Sequence, residues 1–359
     1  MLSVLHILSS LNLGGAERIT VELAKVQREQ NIDAQILTLG SRSDFLVNSV
    51  KSHNIPLMFS GKGKNRLLRY FYLLKVFRKF DVIHLHSRGA FRFTAPILPF
   101  LNRTKVIYTR HGLFPDDSLG LKLVYFFLRP FIDYVTFVTE SGLEVFTANH
   151  KWKLENLAVV RNGVFVPDLV CVPPVSPVRF GSVGRMVPVK GQDKLLKAAI
   201  ELENKFKGSA AGRLSFELKF VGDGPLEPLL REQAKGITEG IVEFCGEEPN
   251  IEKIYEGIDV LVVTSNSEGL SMVIMEAMAR GIPAIATDVG GNGTLVHDNE
   301  TGLLVKEQSP EAICDAMLRV VKDLNLISRL GKSARNLIGS EFSLLKTHEA
   351  YLQCYLRKK

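Results

Sequence analysis

Short apolar runs recur along the chain, several of them closing on glycine or serine, with helical stretches between them. In the first half they are VLHILSS (4–10), DAQILTLG (33–40), DVIHLHS (81–87), KVIYTRHG (105–112), YVTFVTES (134–141) and LAVVRNGV (157–164). Apolar on both faces and rich in β-branched residues, they have the pattern of strands buried in a parallel sheet. The same grammar resumes after VPDLVCVPPVSPV (166–178), whose four prolines mark an interdomain linker. Beyond it come VRFGSVGR (178–185), FELKFVGDG (216–224), IVEFCGE (241–247), DVLVVTS (259–265) and PAIATDVGG (283–291). The expected fold class is α/β, with doubly wound Rossmann-like domains over residues 1–165 and 179–340. A terminal helix within 341–359 is expected to cross back onto the first domain. Ligands bind at the carboxyl ends of such strands, so two facing domains would place a cleft between them.

A chain of 359 residues can bury two ordinary cores, and its 46% hydrophobic and 23% charged content excludes extended disorder. The opening MLSVLHILSS has no basic flank or small-residue cleavage site, and Glu17 and Arg18 soon follow, so it reads as a first strand and not a signal peptide. No uncharged run reaches the ~18 to 20 apolar residues of a spanning helix, which leaves a soluble or membrane-surface protein. Cys171, Cys245, Cys314 and Cys354 have no paired spacing and read as reduced, buried thiols of a cytoplasmic protein, with no structural metal.

Charge is unevenly placed: residues 1–165 carry 22 basic and 12 acidic side chains, and residues 166–359 carry 23 and 26. The basic half should seek an anionic partner. Within it, GKGKNRLLRYFYLLKVFRKF (61–80) interleaves Lys62, Lys64, Arg66, Arg69, Lys75, Arg78 and Lys79 with Leu67, Leu68, Phe71, Leu74 and Phe77. AFRFTAPILPF (90–100) and LKLVYFFLRPF (121–131) add aromatics with cations nearby that look exposed. Such a pattern suits the surface of an anionic bilayer, and it also suits a core helix with solvated cations. No groove-reading motif supports nucleic acid as the partner.

SEGLSMVIMEA (267–277) sets Glu268 and Glu276 at the two ends of seven uncharged residues. On one continuous helix the pair would lie about 12 Å apart, at ~1.5 Å per residue. A helix starting near Leu270 or Ser271 leaves Glu268 in the preceding loop, with the Gly269 turn between them. Its free N–H groups could then hold an anion with a carboxylate at each end. A plain buried helix accounts equally for Leu270, Met272, Val273, Ile274, Met275, Ala277 and Met278.

GRMVPVKG (184–191) follows a strand like a phosphate loop, but Val189 and Gly191 stand where a Walker A sequence needs glycine and Ser or Thr. Arg185 and Lys190 could still grip a diphosphate in place of a metal, or be an ordinary pair of surface cations. In LNLGGAER (11–18), Gly14 and Gly15 would let backbone approach a ligand at a helix N-terminus, although Ile19 stands where a dinucleotide fingerprint has its third glycine. VGDGPLE (221–227) fails that test at Glu227. YTRHGLF (108–114) places His111 beside Gly112 at a strand end. His84 and His86 share one face of another strand; with no third ligand nearby in sequence, a structural or supporting role is expected and no metal.

Taken together, these residues resemble the retaining family-4 glycosyltransferases of GT-B fold (glycosyl transferases group 1). The Glu-x7-Glu segment 268–276, the GRxxxxKG loop 184–191, the GGAE turn 14–17 and the TRHG segment 109–112 fall in the family's order, and ETGLLV (300–305) fits it too. The resemblance implies a nucleotide-diphosphate-sugar donor, a saccharide acceptor, no cofactor and metal-independent transfer; the basic, aromatic first half points to acceptor recognition at a membrane surface, on a lipid-linked saccharide in envelope polysaccharide synthesis. It implies that Glu276 binds the ribose hydroxyls, and that Glu268 and the backbone of Gly269, Leu270, Ser271, Met272 and Val273 hold the donor sugar and diphosphate. Arg185 and Lys190 would neutralise the departing diphosphate, Gly14 and Gly15 would approach the phosphates, and His111 would lie near the sugar. The backbone near Glu248 would meet the base. VGGNGTLV (289–296) departs from the family's GGxPE-like stretch, having Gly293 and Thr294 where an acid is usual. A sugar-nucleotide epimerase of GT-B architecture and a non-catalytic nucleotide-sugar-binding subunit are the alternatives.

Overall fold

The computed structural model describes residues 1–12, 14–60, 66–112, 119–150, 152, 154–168, 174, 176–207, 215–248 and 250–357. Lys62, Lys64, Cys171 and most of the Pro-rich linker therefore lie outside the described residues. The chain divides into two compact units: one comprises Met1–Gly163 with Leu344–Lys359, the other Val164–Ser343.

The first unit holds β1 (Ser3–Leu8), β2 (Asp33–Thr38), β3 (Leu57–Phe59), β4 (Val82–Leu85), β5 (Lys105–Arg110), β6 (Tyr134–Phe137) and β7 (Leu157–Val159). They form one sheet in the order β3-β2-β1-β4-β5-β6-β7. The second unit holds β8 (Val178–Val183), β9 (Phe216–Val221), β10 (Val242–Gly246), β11 (Val260–Val263), β12 (Ala284–Thr287) and β13 (Gly302–Val305), in the order β10-β9-β8-β11-β12-β13. All of these pairings are parallel. In both sheets the chain winds one way from the first strand, then returns and winds the other way. The order reverses between β1 and β4 in one sheet and between β8 and β11 in the other. Loops leaving the carboxyl ends of such neighbours diverge and open a crevice, the usual ligand position of a doubly wound fold.

The α/β expectation is borne out. The sequence reading missed β3 (LMF) and β13 (GLLV), which at three and four residues are too short to show a pattern of their own. The central strands are buried on both faces; β4, β6, β11 and β12 have no exposed position. Cores of Leu, Ile, Val and Phe lie on both sides of each sheet. The last helix, Leu344–Leu356, belongs to the first unit and sets Tyr351 and Tyr355 into its core.

Two surface expectations need correction. Cys245 is exposed and not buried, because β10 is a sheet edge on which Glu243, Cys245 and alternate positions face outward. Phe91 is fully buried, stacked on Tyr108 with ring centroids 4.7 Å apart, and so is not one of the exposed aromatics. Phe77 and Tyr125 are fully buried as well, and Leu74 and Phe93 are half-buried, while the groups that do face out are Leu67, Leu68, Phe71 and Tyr72 on helix Arg66–Phe77, and Leu123, Phe126 and Phe127 on helix Leu119–Leu128. Among the described residues, no helix is long and apolar enough to cross a membrane.

Candidate active site

In the second unit, the loops after β8 and β11 meet where the strand order reverses. The chain leaves β8, makes a single 3-10 turn over Pro188–Lys190, and enters helix Gln192–Lys207 through Gly191. Gly191 sits at φ +62, and a Cβ there would come within 2.3 Å of the Thr264 carbonyl, so both conformation and space demand glycine. Hydrogen bonds to backbone carbonyls join the two loops. Thr264 Oγ1 donates to the Gly191 carbonyl (2.8 Å), the Asn266 amide N–H to the Val189 carbonyl (2.8 Å), and Asn266 Nδ2 to the Pro188 carbonyl (2.8 Å).

This seam brings Lys190 to Glu268: Nζ lies 2.6 Å from Oε1, and Ser265 Oγ donates to the same oxygen at 2.6 Å. The Glu268 side chain is 11% exposed and that of Lys190 is 30% exposed. A carboxylate bound by both a cation and a hydroxyl is fixed in direction, and water still reaches the lysine. Arg185, on the same loop as Lys190, is exposed. On the Glu268 side, Gly269 is exposed and Leu270, Met272 and Val273 are half-buried, while Ser271 is buried as the helix N-cap residue.

The helix itself runs Met272–Ala279, one residue beyond the expected start, and packs Ile274, Met275, Ala277 and Met278 into the core with Leu261, Ala286 and Ala334. The buried-helix reading and the anion-site reading therefore coexist: the body is core and only the first turn is open. Glu276 is the polar exception in that body. It is 3% exposed and accepts a hydrogen bond from Tyr255 Oη at 2.9 Å. Tyr255 ends helix Ile251–Tyr255, whose N-cap Asn250 donates its backbone N–H to Glu248 Oε1 at 2.7 Å. Glu248 and Glu276 are thus tied through one short helix. Nothing in the sequence singled out Tyr255.

The stretch VGGNG supplies a third wall. Gly290, at φ +55, lies so close to Glu268 that a Cβ would come within 1.8 Å of its carbonyl oxygen, and the Gly291 N–H donates to the Gly269 carbonyl at 2.9 Å. The paired glycines brace the backbone of Glu268 and Gly269, whichever residues come after them. Gly293 and Thr294 lie in the short helix Asn292–Leu295.

The first unit holds the remaining candidates. Gly14 is the extended N-cap of helix Gly15–Glu29, and the Glu17 carboxylate folds back beside it. Burial raises the pKa of Glu17. His111 follows β5, and its Nε2 lies 3.3 Å from Nδ1 of His86. His84 and His86 have a third imidazole beside them in space, although none lies nearby in sequence. His6 of β1 pairs in register with His84, and ring nitrogens of His6, His84 and His86 lie within 4.8 Å of one another. These nitrogens are already engaged. His84 meets Tyr355 Oη (2.8 Å) and Thr109 Oγ1 (2.7 Å), while His6 meets His86 Nε2 (2.8 Å) and Gln27 Oε1 (2.7 Å). Burial lowers the pKa of His6 and of His111 to about 4, and those of His84 and His86 fall well below the ordinary value. The cluster is one of neutral rings.

Two parallel doubly wound sheets, with facing loops at the strand-order reversal in one of them, have the architecture of the GT-B fold. Residues 13–166 match the model of Glycosyltransferase Family 4 and residues 177–323 that of Glycosyl transferases group 1. The chain belongs to this family. It is 29% identical, over 89% of its length and 87% of the relative's, to an uncharacterized glycosyltransferase of Methanocaldococcus jannaschii. It is 23% identical, over 99% of this chain and 97% of the other, to the Escherichia coli UDP-Gal:alpha-D-GlcNAc-diphosphoundecaprenol alpha-1,3-galactosyltransferase. The crystal structure of Anabaena HepE in complex with UDP and glucose superposes with a TM-score of 0.78 at 19% identity, covering 98% of this chain and 99% of that one.

Proposed function

We propose that this glycosyltransferase is a retaining, metal-independent enzyme that moves a sugar from a nucleoside diphosphate sugar to a saccharide or lipid-linked saccharide in envelope polysaccharide synthesis. The observation that carries the proposal is the convergence of Lys190, Ser265 and Glu268 at the open first turn of a helix whose next acid, Glu276, is buried and oriented by Tyr255. In this reading the diphosphate rests on the first turn, over the N–H groups of the residues from Leu270 to Val273. Lys190 and Arg185 take up the negative charge that grows on the leaving group, Glu276 binds the ribose, and Glu268 directs the donor sugar. Binding the diphosphate would draw Lys190 from Glu268 and free that carboxylate for sugar hydroxyls. The backbone near Glu248 receives the base, Gly14 and Gly15 approach phosphate, and His111 meets a sugar hydroxyl. Fixed cations supply what a metal ion supplies in other phosphate chemistry.

A relative that uses UDP-Gal and a diphosphoundecaprenol acceptor, and a neighbour that holds UDP, put uridine nucleotides first among donors and lipid-linked saccharides first among acceptors. The test is a thermal-shift and calorimetric panel of UDP, GDP, ADP and their common sugars without added metal. One nucleotide should raise the midpoint, and Glu276→Ala should remove that response, since only ligand bound to the folded state stabilises it. Silence across the panel from folded protein sinks the proposal. Release of nucleotide that depends on an acceptor would separate a transferase from an epimerase or a binding subunit.

The exposed Leu67, Leu68, Phe71, Tyr72, Phe126 and Phe127 of the basic unit support peripheral contact with the cytoplasmic face of a membrane. Vesicles containing anionic lipid should sediment the protein at low salt and release it as salt rises, while neutral vesicles should not sediment it. Equal behaviour of the two vesicle types would remove this part of the reading.

A further inference from the structure

We propose that Gln27, His6 and His86 form a hydrogen-bonded chain that fixes the tautomer of His111, leaving its Nδ1 as a bare acceptor for a hydroxyl group. The chain is read one bond at a time. Gln27 Nε2 donates to Tyr355 Oη at 3.2 Å, which turns Oε1 toward His6 Nε2 at 2.7 Å. An amide oxygen carries no hydrogen, so His6 donates from Nε2 and, as a neutral ring, has a lone pair on Nδ1. That lone pair faces His86 Nε2 at 2.8 Å, so His86 also carries its proton on Nε2. Its own bare Nδ1 faces His111 Nε2 at 3.3 Å, and His111 takes the same tautomer. What remains is Nδ1 of His111, a buried nitrogen with no hydrogen-bond partner among the described residues.

The outcome depends on residues remote in sequence. Helix Gly15–Glu29 contributes Gln27, the terminal helix contributes Tyr355, and strand β1 and the residue just past β4 contribute the two intermediate rings. Tyr355 is itself directed: with Gln27 as donor to its oxygen, its hydroxyl hydrogen is left for His84 Nδ1 at 2.8 Å. His84 then donates from Nε2 to Thr109 Oγ1 at 2.7 Å. Every bond in the network has one donor and one acceptor under this assignment, and reversing His6, His86 or His111 alone would set two N–H groups or two lone pairs against each other. An unpaired acceptor at the end of such a chain suits a hydroxyl, which can donate, and rejects a carbonyl or phosphate oxygen, which cannot. Gln27, His6 and His86 are thus positioning residues for His111. The inference rests on the reading above only in taking that hydroxyl to belong to a sugar.

Long-range proton–nitrogen NMR of the full-length protein tests it, since protonated and bare ring nitrogens have well-separated shifts. With no nucleotide or sugar present, His6, His86 and His111 should each show a protonated Nε2 and a bare Nδ1. Gln27→Met removes the acceptor that sets the direction, and His111 should then spread over both tautomers. If that variant does not fold, Tyr355→Phe, which releases the Gln27 amide to turn, is read in the same way. A wild-type His111 protonated on Nδ1, or an unchanged single tautomer in the variant that folds, would overturn the proposal. The ligand-free spectra do not depend on the transferase reading, whose own failure shows in the nucleotide panel. With a nucleoside diphosphate sugar that binds in that panel, the His111 Nδ1 resonance should move as it accepts a hydroxyl hydrogen, and a static resonance would refute the acceptor role.

Discussion

Lys190→Ala is expected to lower turnover by roughly 100- to 1,000-fold, the usual loss when one preorganised stabiliser of transition-state charge is removed. The loss should fall mainly on kcat, because the charge that Lys190 meets develops as the glycosidic bond breaks. Folding should change little. Lys190 is part-exposed, so its pair with Glu268 is screened by water and contributes little to stability, and Glu268 keeps the Ser265 hydroxyl when the lysine is gone. The loop would also hold its shape, because Thr264 and Asn266 bind its backbone and not the lysine side chain. Lys190→Arg keeps the charge but replaces a compact ammonium by a planar fork, and should recover only part of the rate. Steady-state kinetics with the donor found in the binding panel would measure this, with thermal midpoints as the control for folding. Wild-type turnover in Lys190→Ala would exclude the lysine from leaving-group stabilisation.

The Lys190–Glu268 contact shows which features were legible in the sequence. Both residues stand next to conformational punctuation, Gly191 and Gly269, which placed them in loops at strand ends. The strand grammar around them gave a doubly wound fold, and such a fold has its ligand edge at those ends. Tyr255 was not legible, because an unremarkable aromatic 21 residues from Glu276 becomes its partner only when a short helix turns it inward. The role of Gly290 and Gly291 was hidden for a related reason. As a motif the stretch is recognised by the residues after its glycines, whereas its close approach to Glu268 depends on the space the glycines leave. His6 is the plainest case. Its contact with His84 and His86 is created by parallel pairing of β1 with β4, across a sheet whose order reverses at that point. Periodicity assigns a face to each residue but does not say which strand will be its neighbour.

The buried imidazoles should also make the first unit sensitive to mild acid. His6 is fully buried with its pKa lowered to about 4 from an ordinary 6.5, the cause being loss of water around the charged form, partly offset by its bond to Gln27. His84 and His86 are buried too, and their pKa values are lowered well below the ordinary value by the same loss of water, and further by neighbouring imidazoles. Between pH 6.5 and about 4 the unfolded chain therefore binds protons that the folded unit refuses. Stability rises with pH wherever the unfolded state binds more protons, so it should be full above pH 7 and fall steadily below about pH 6.5. One unit of pKa difference corresponds to about 1.4 kcal/mol, so His6 alone would account for roughly 2 kcal/mol by pH 5. That is a large share of the ~5–15 kcal/mol that holds a domain together. Trp152, the single tryptophan, lies in this unit with its ring 5.8 Å from that of Phe146, so its fluorescence reports on the unit by itself. Urea midpoints followed by Trp152 should fall between pH 7.5 and pH 5, a range in which ordinary carboxylates stay ionised. His6→Gln replaces an ionisable ring by a neutral amide, which should flatten the dependence even where it lowers the midpoint at neutral pH. Midpoints that coincide at the two pH values in the wild-type protein would mean that the imidazoles are protonated, and so hydrated, in the folded unit.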